Sequence, residues 1–112
     1  MQYPVNKLGL STMAVNIKPS EALKVHRAEI LRIVERNNAL NARVFGSVLH
    51  QEDTESSDLD LLVDITPTTS LLDIARIKKE LAVLLGCPVD VLTPNGLSPM
   101  LRSAVLAEAK PV

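Results

Sequence analysis

The sequence predicts an α/β (α+β) domain, a small mixed β-sheet of about three strands flanked by helices. Apolar residues recur at helical spacing over 20–37 and 71–85, and short apolar or alternating runs at 40–45, 58–65 and 88–93 read as strands. Capping and turn residues fall between these runs, where such elements must end. The 112 residues fit one compact domain, which buries roughly 65% of its unfolded surface. An apolar fraction of 46% and a charged fraction of 22% are near globular averages and argue against disorder of the whole chain.

Taken in order, residues 1–18 show no period and are expected to form a tail or arm, leaving 19–112 as the domain. Ser20 is placed to N-cap a first helix, with Glu21 at its positive end. Leu23, His26, Ile30, Ile33 and Val34 then share a face up to Asn37-Asn38. Leu40 to Phe45 follows as a strand with Leu40, Ala42 and Val44 on one face, ending at Gly46. Residues 47–57 form a polar, acidic loop with room for a helical turn after Gly46-Ser47.

The second strand, Asp58–Ile65, turns Leu59, Leu61, Val63 and Ile65 one way and Asp58, Asp60, Leu62 and Asp64 the other. Ser70 N-caps a helix over Leu71–Leu85, and Gly86 suits its C′ position. Pro88–Thr93 is a third strand. Strand, helix and strand in that order favour a parallel crossover, which sets the third strand beside the second. Ser98-Pro99 supplies an N-cap and a proline at N1 for a last helix from about Met100 to Ala109.

Composition narrows the function. A net charge of −1 gives no reason to expect capture of nucleic acid or an anionic membrane. With Tyr3 and Phe45 the only aromatics, no platform for stacking bases is evident. Cys87 is the single cysteine, so an intrachain disulfide is excluded. No signal peptide or membrane span is apparent, and the expected compartment is cytoplasmic.

Two acids open a strand that otherwise reads as core. Ionised carboxylates beside an apolar interior are costly when unpaired, and a divalent cation is the usual compensation. Asp58 and Asp60, at i and i+2, project from one face about 6–7 Å apart at Cα. Asp90, in Pro-Val-Asp-Val-Leu, lies on the strand expected next to theirs. Three carboxylates can hold two Mg²⁺ ions, the arrangement that stabilises attacking and leaving oxygens in phosphoryl or nucleotidyl transfer. Gly46 permits close backbone approach to a ligand, and Ser47 can offer its N–H and hydroxyl to a phosphate.

Gly46-Ser47, ten intervening residues, then Asp58-Leu59-Asp60 resembles the Gly-Ser-x10-Asp-x-Asp pattern of the DNA polymerase β-type nucleotidyltransferases. The Phe-Gly-Ser start, the Ser-Asp-Leu-Asp-Leu-Leu-Val-Asp run and the later Pro-Val-Asp-Val-Leu look most like the minimal nucleotidyltransferase (MNT) antitoxins. That resemblance covers roughly residue 22 to the C-terminus and implies the nucleotidyltransferase fold. It further implies an antitoxin that transfers AMP from ATP to a tyrosine of a partner HEPN ribonuclease toxin. By the same resemblance, Asp58 and Asp60 ligate Mg²⁺, Asp90 completes the metal site and helps activate the incoming hydroxyl, and Gly46 and Ser47 hold the β- and γ-phosphates.

Blander readings stand beside these. Asp58 and Asp60 can cap a loop and shield a strand edge, and Asp90 can face solvent. Asp64 reads as a strand-end acid, His50 as a solvated loop histidine, and His26 as a packed or interface histidine. Glu52, Asp53 and Glu55 read as a solvated acidic run, Lys78, Lys79 and Arg102 as surface charge, and Cys87 as a packing residue. An inhibitory binding module that occludes its partner is an alternative function. Nucleotidyl transfer to a small molecule is another, although no acceptor domain is evident. A partner chain or a homodimer is therefore expected.

Overall fold

The computed structural model describes residues 17–112, so the tail expected over 1–18 lies, as far as residue 16, outside the described residues. Two short helices open the domain, α1 (Pro19–Val25) and α2 (Arg27–Arg36). They replace the single helix expected from the periodicity. The division is at His26, whose φ of −109° and ψ of 23° leave the helical region. The His26 N–H donates to Ala22 O at the end of α1 and the Ile30 N–H donates to His26 O at the start of α2, so the two helical ladders meet at this residue. Pro19 occupies N1, which moves the N-cap to Lys18 and places Ser20 inside the first turn.

Strand β1 (Ala39–Phe45) pairs antiparallel with β2 (Leu59–Ile65), and β2 pairs parallel with β3 (Val89–Leu92). Helix α3 (Leu71–Leu85) makes the crossover between β2 and β3, as the sequence predicts. Helix α4 (Pro99–Glu108) follows, opened by Ser98 and Pro99, and leads to a fourth strand that the sequence did not predict. This β4 (Lys110–Pro111) pairs antiparallel with β1, and the sheet order is β3-β2-β1-β4. Among the described residues no helix is long and apolar enough to cross a membrane.

The sheet is buried on both faces. Leu59, Leu61 and Val63 of β2 join Ile30, Val34, Ile77 and Leu81 in the main core, under α2 and α3. Leu62 points the other way into a smaller cluster with Leu97 and Val105, under α4. Leu40 departs from the expected alternation. Between Leu40 and Arg43 the β1 side holds one residue more than the β2 side, a bulge at Asn41 with φ of 55°. The bulge turns Leu40 outward, 48% exposed, while Ala42 and Val44 stay buried.

Helix α3 has the ends its sequence predicts. The Asp73 N–H donates to Ser70 Oγ at 3.1 Å and the Ser70 N–H donates to Asp73 Oδ2 at 2.9 Å, a reciprocal capping box. Gly86 closes the helix in the left-handed region at φ 72°. The Ser70 N–H first, then Asn38, the Ser70 hydroxyl and Arg76, hold the Asp73 carboxyl below its ordinary range. This stabilisation is present at neutral pH and is lost as acidification passes the lowered value. Replacing Ser70 with Ala leaves the Asp73 N–H without its acceptor, and urea denaturation should show a loss of about 1 kcal/mol.

Candidate active site

Strand parity builds the site. Because Leu59 and Leu61 face the main core, Asp60 faces the α4 side of the sheet, with Leu62 two residues further along the same row. Asp58 is exposed and directly precedes β2, and Asp60 is half-buried. In the parallel ladder Asp60 and Asp90 are register partners; their Cα atoms are therefore about 4.8 Å apart. On the other flank Phe45 is the register partner of Asp60, and the turn that follows begins with Gly46. Asp58, Asp60, Asp90 and Gly46 thus come together from three separate stretches. Ser47 lies one residue on in the turn, half-buried.

Gly46 touches Asp60. Its φ is +79°, and a Cβ at this position would sit 2.5 Å from Asp60 Oδ2. The glycine therefore permits both the turn and the approach of the carboxylate to the backbone. Burial, then the negative charges of Asp90 and Asp58 and a direct contact with Asp90, raise the Asp60 carboxyl above its ordinary range. The ion pairs among the described residues all lie elsewhere, so no basic side chain relieves this repulsion.

Among the described residues no three His, Cys, Asp or Glu side chains already stand close enough to enclose an ion. The donor set nonetheless fits one in its chemistry: three oxygen-bearing side chains on adjoining strand positions, compressed by like charge. All-oxygen donors of this kind suit Mg²⁺ or Mn²⁺.

The neighbouring charges have other occupations. Arg102, a candidate to neutralise phosphates, donates to Pro94 O at 2.7 Å and Leu97 O at 3.0 Å and so holds the turn before α4. Asp64 pairs with Arg43 across the sheet and accepts from Asn41 at 2.9 Å. His50 is not free in solvent: its Nε2 is 2.7 Å from Glu108 Oε1 on α4. His26 Nδ1 is 3.2 Å from Glu29. Lys78 and Lys79 are exposed on α3, and Glu52 and Glu55 are exposed in the loop.

Asp53 overturns the expectation of a solvated acid. It is 4% exposed and accepts from the Ser20 N–H at 2.9 Å. No local signal marked it, because its partner lies 33 residues away in sequence. Cys87 is buried as expected, and burial, then Asp58 and Asp53, push its thiol up to about 11. The thiol stays protonated at neutral pH and is a poor nucleophile.

Residues 28–112 match the family described as polymerase beta, nucleotidyltransferase. The chain belongs to that family. A Methanocaldococcus jannaschii relative, provisionally named a protein adenylyltransferase, is 41% identical over 83 residues, covering 74% of this chain and 89% of its own length. The protein adenylyltransferase MntA of Thermococcus cleftensis is 35% identical over 86 residues, covering 77% of this chain and 84% of its own. A solved structure provisionally named a minimal nucleotidyltransferase superposes with a TM-score of 0.76 at 46% identity, over 83% of this chain and 95% of that one.

A tri-AMPylated Shewanella oneidensis HEPN toxin in complex with an MNT antitoxin is also similar, with a TM-score of 0.60 at 20% identity, over 79% of this chain and 69% of that one. At that identity the likeness concerns the fold alone. The nucleotidyltransferase fold expected from Gly46-Ser47 and Asp58-Leu59-Asp60 is the fold observed, with one strand more than expected.

Proposed function

We propose that this nucleotidyltransferase is the antitoxin of a toxin–antitoxin pair. In this reading it transfers AMP from ATP to a tyrosine hydroxyl of a HEPN ribonuclease toxin and so silences it. The observation that carries the reading is the convergence of Asp58, Asp60 and Asp90 beside a glycine that abuts Asp60. The names of the M. jannaschii and T. cleftensis relatives support protein adenylylation, and the S. oneidensis complex supports a HEPN toxin as acceptor.

The roles follow from position. Asp58, Asp60 and Asp90 would hold Mg²⁺, and the Gly46-Ser47 turn would offer backbone N–H groups and the Ser47 hydroxyl to the β- and γ-phosphates. Mg²⁺ at this site supplies charge neutralisation for the phosphates and for the leaving pyrophosphate. The tyrosine oxygen forms a bond to the α-phosphorus as the bond to the pyrophosphate oxygen breaks. Asp90, at the exposed edge strand, accepts the hydroxyl proton. In such transfers catalysis is mostly positioning and electrostatic stabilisation.

The test is to mix the chain with the product of its neighbouring gene, ATP and Mg²⁺, and to weigh both proteins by intact-mass spectrometry. One or more AMP increments on the partner are expected, with the modified residue a tyrosine. An unmodified partner, still neutralised by a chain carrying Asp58→Asn and Asp60→Asn, would establish occlusion instead.

A further inference from the structure

We infer that Asp53 is a positioning residue for this site, anchoring the loop between Gly46-Ser47 and Asp58 to the N-terminus of α1. The inference rests on the proposed nucleotidyl transfer. The first turn of α1 has few donors to satisfy. Pro19 has no N–H, and the Glu21 and Ala22 N–H groups both donate to Lys18 O, at 2.9 and 3.0 Å. Lys18, at the N-cap, has no side-chain oxygen with which to cap the helix. The Ser20 N–H is left, and Asp53 Oδ2 takes it. A carboxylate is favoured there by the helix dipole and by a charge-assisted hydrogen bond.

The contact fastens the loop close to its midpoint, six residues after Ser47 and five before Asp58. On one side a turn is closed by His50 N–H to Gly46 O and Glu52 N–H to Ser47 O. On the other side a turn is closed by Ser57 N–H to Thr54 O and Thr54 N–H to Ser57 Oγ. These turns hold themselves but not each other. Within the loop only Val48 and Asp53 are buried. Val48 secures the phosphate turn in the main core, and Asp53 secures the segment that delivers Asp58 and Asp60.

The burial is expensive for a simple clip. Asp53 Oδ1 has no hydrogen-bond partner among the described residues, and a buried carboxylate with one oxygen unmet costs stability. α1 precedes residue 28, where the family match begins, so the anchor point lies outside the matched segment. Relative placement of the phosphate turn and the acids is what in-line transfer needs, and a misplacement of about 1 Å can cost about 10²-fold in rate.

The test uses Asp53→Ala and Asp53→Asn in the full chain, the second keeping an oxygen acceptor for the Ser20 N–H. Hydrogen–deuterium exchange in the isolated chain should show amides of 46–58 exposed in the Ala variant, with α3 unchanged. The Asn variant should match wild type. Well below the unfolding temperature, kcat for AMP transfer should fall about 10- to 100-fold in the Ala variant, and Asn should restore most of it. Full kcat in the Ala variant, with only a lowered unfolding temperature, would make Asp53 a structural clip and overturn the proposal, as would an Asn variant as impaired as Ala. If the wild-type chain transfers no AMP, the functional reading fails by itself, and the exchange measurement still decides the anchor.

Discussion

Asp60→Asn is expected to abolish AMP transfer while making the metal-free chain more stable at neutral pH. Asp60 is the centre of the acid group: Asp90 is its register partner, Asp58 is two residues before it, and Gly46 lies against its carboxylate. Losing an oxygen donor that holds a catalytic cation removes several kcal/mol of transition-state stabilisation, about a thousandfold in rate. Stability moves the opposite way, because the ionised carboxyl is penalised by burial and by two like charges. The folded-state pKa is raised, so the penalty builds as the pH rises from the ordinary carboxylate value to the raised one and is complete above it. Thermal unfolding in EDTA across a pH series should show Asn ahead of wild type at neutral pH. The gap should close as the pH falls through the Asp60 titration. With Mg²⁺ and ATP added the order should reverse, since only wild type gains from binding.

Gly46→Ala should also remove activity, but with a loss of stability. At φ +79° an alanine carries the left-handed penalty, about 1–2 kcal/mol. Its Cβ would meet Asp60 Oδ2 at 2.5 Å, and since that atom ends a side chain, the carboxylate gives way before the backbone does. Turnover should fall by about 10²-fold, and Mn²⁺ affinity, read by calorimetry, should fall with it. A variant carrying both changes should be no less active than Asp60→Asn alone, because the two act on one carboxylate. Additive losses in log rate would mean that Gly46 serves the phosphates independently of Asp60.

These expectations draw unequally on sequence and on fold. The Gly46-Ser47 turn and the Asp58-Leu59-Asp60 pair lie within fifteen residues, and strand alternation alone sets both acids on one face. The ends of α3 were equally local, since Ser70, Asp73 and Gly86 act within one turn of the helix terminus. Asp90 needed one further step, the parallel crossover, to come beside Asp60.

Other features had no local mark. The two residues of β4 become a strand only because β1 offers an unpaired edge, and the Asn41 bulge exists only in the register between β1 and β2. Arg102 resembled any surface cation until the turn at Pro94–Leu97 folded beneath it. Asp53 is the sharpest case. In sequence it is one acid among several in a polar loop, and in the fold it is buried with its carboxylate accepting from the Ser20 N–H of α1. By itself, then, the sequence determined where the candidate site residues lie on their strand and turn, because spacing along a strand or around a turn is a local property of the backbone. Only the tertiary structure decided what holds those residues in place, because hydrogen-bond partners and burial come from elements far apart in the chain.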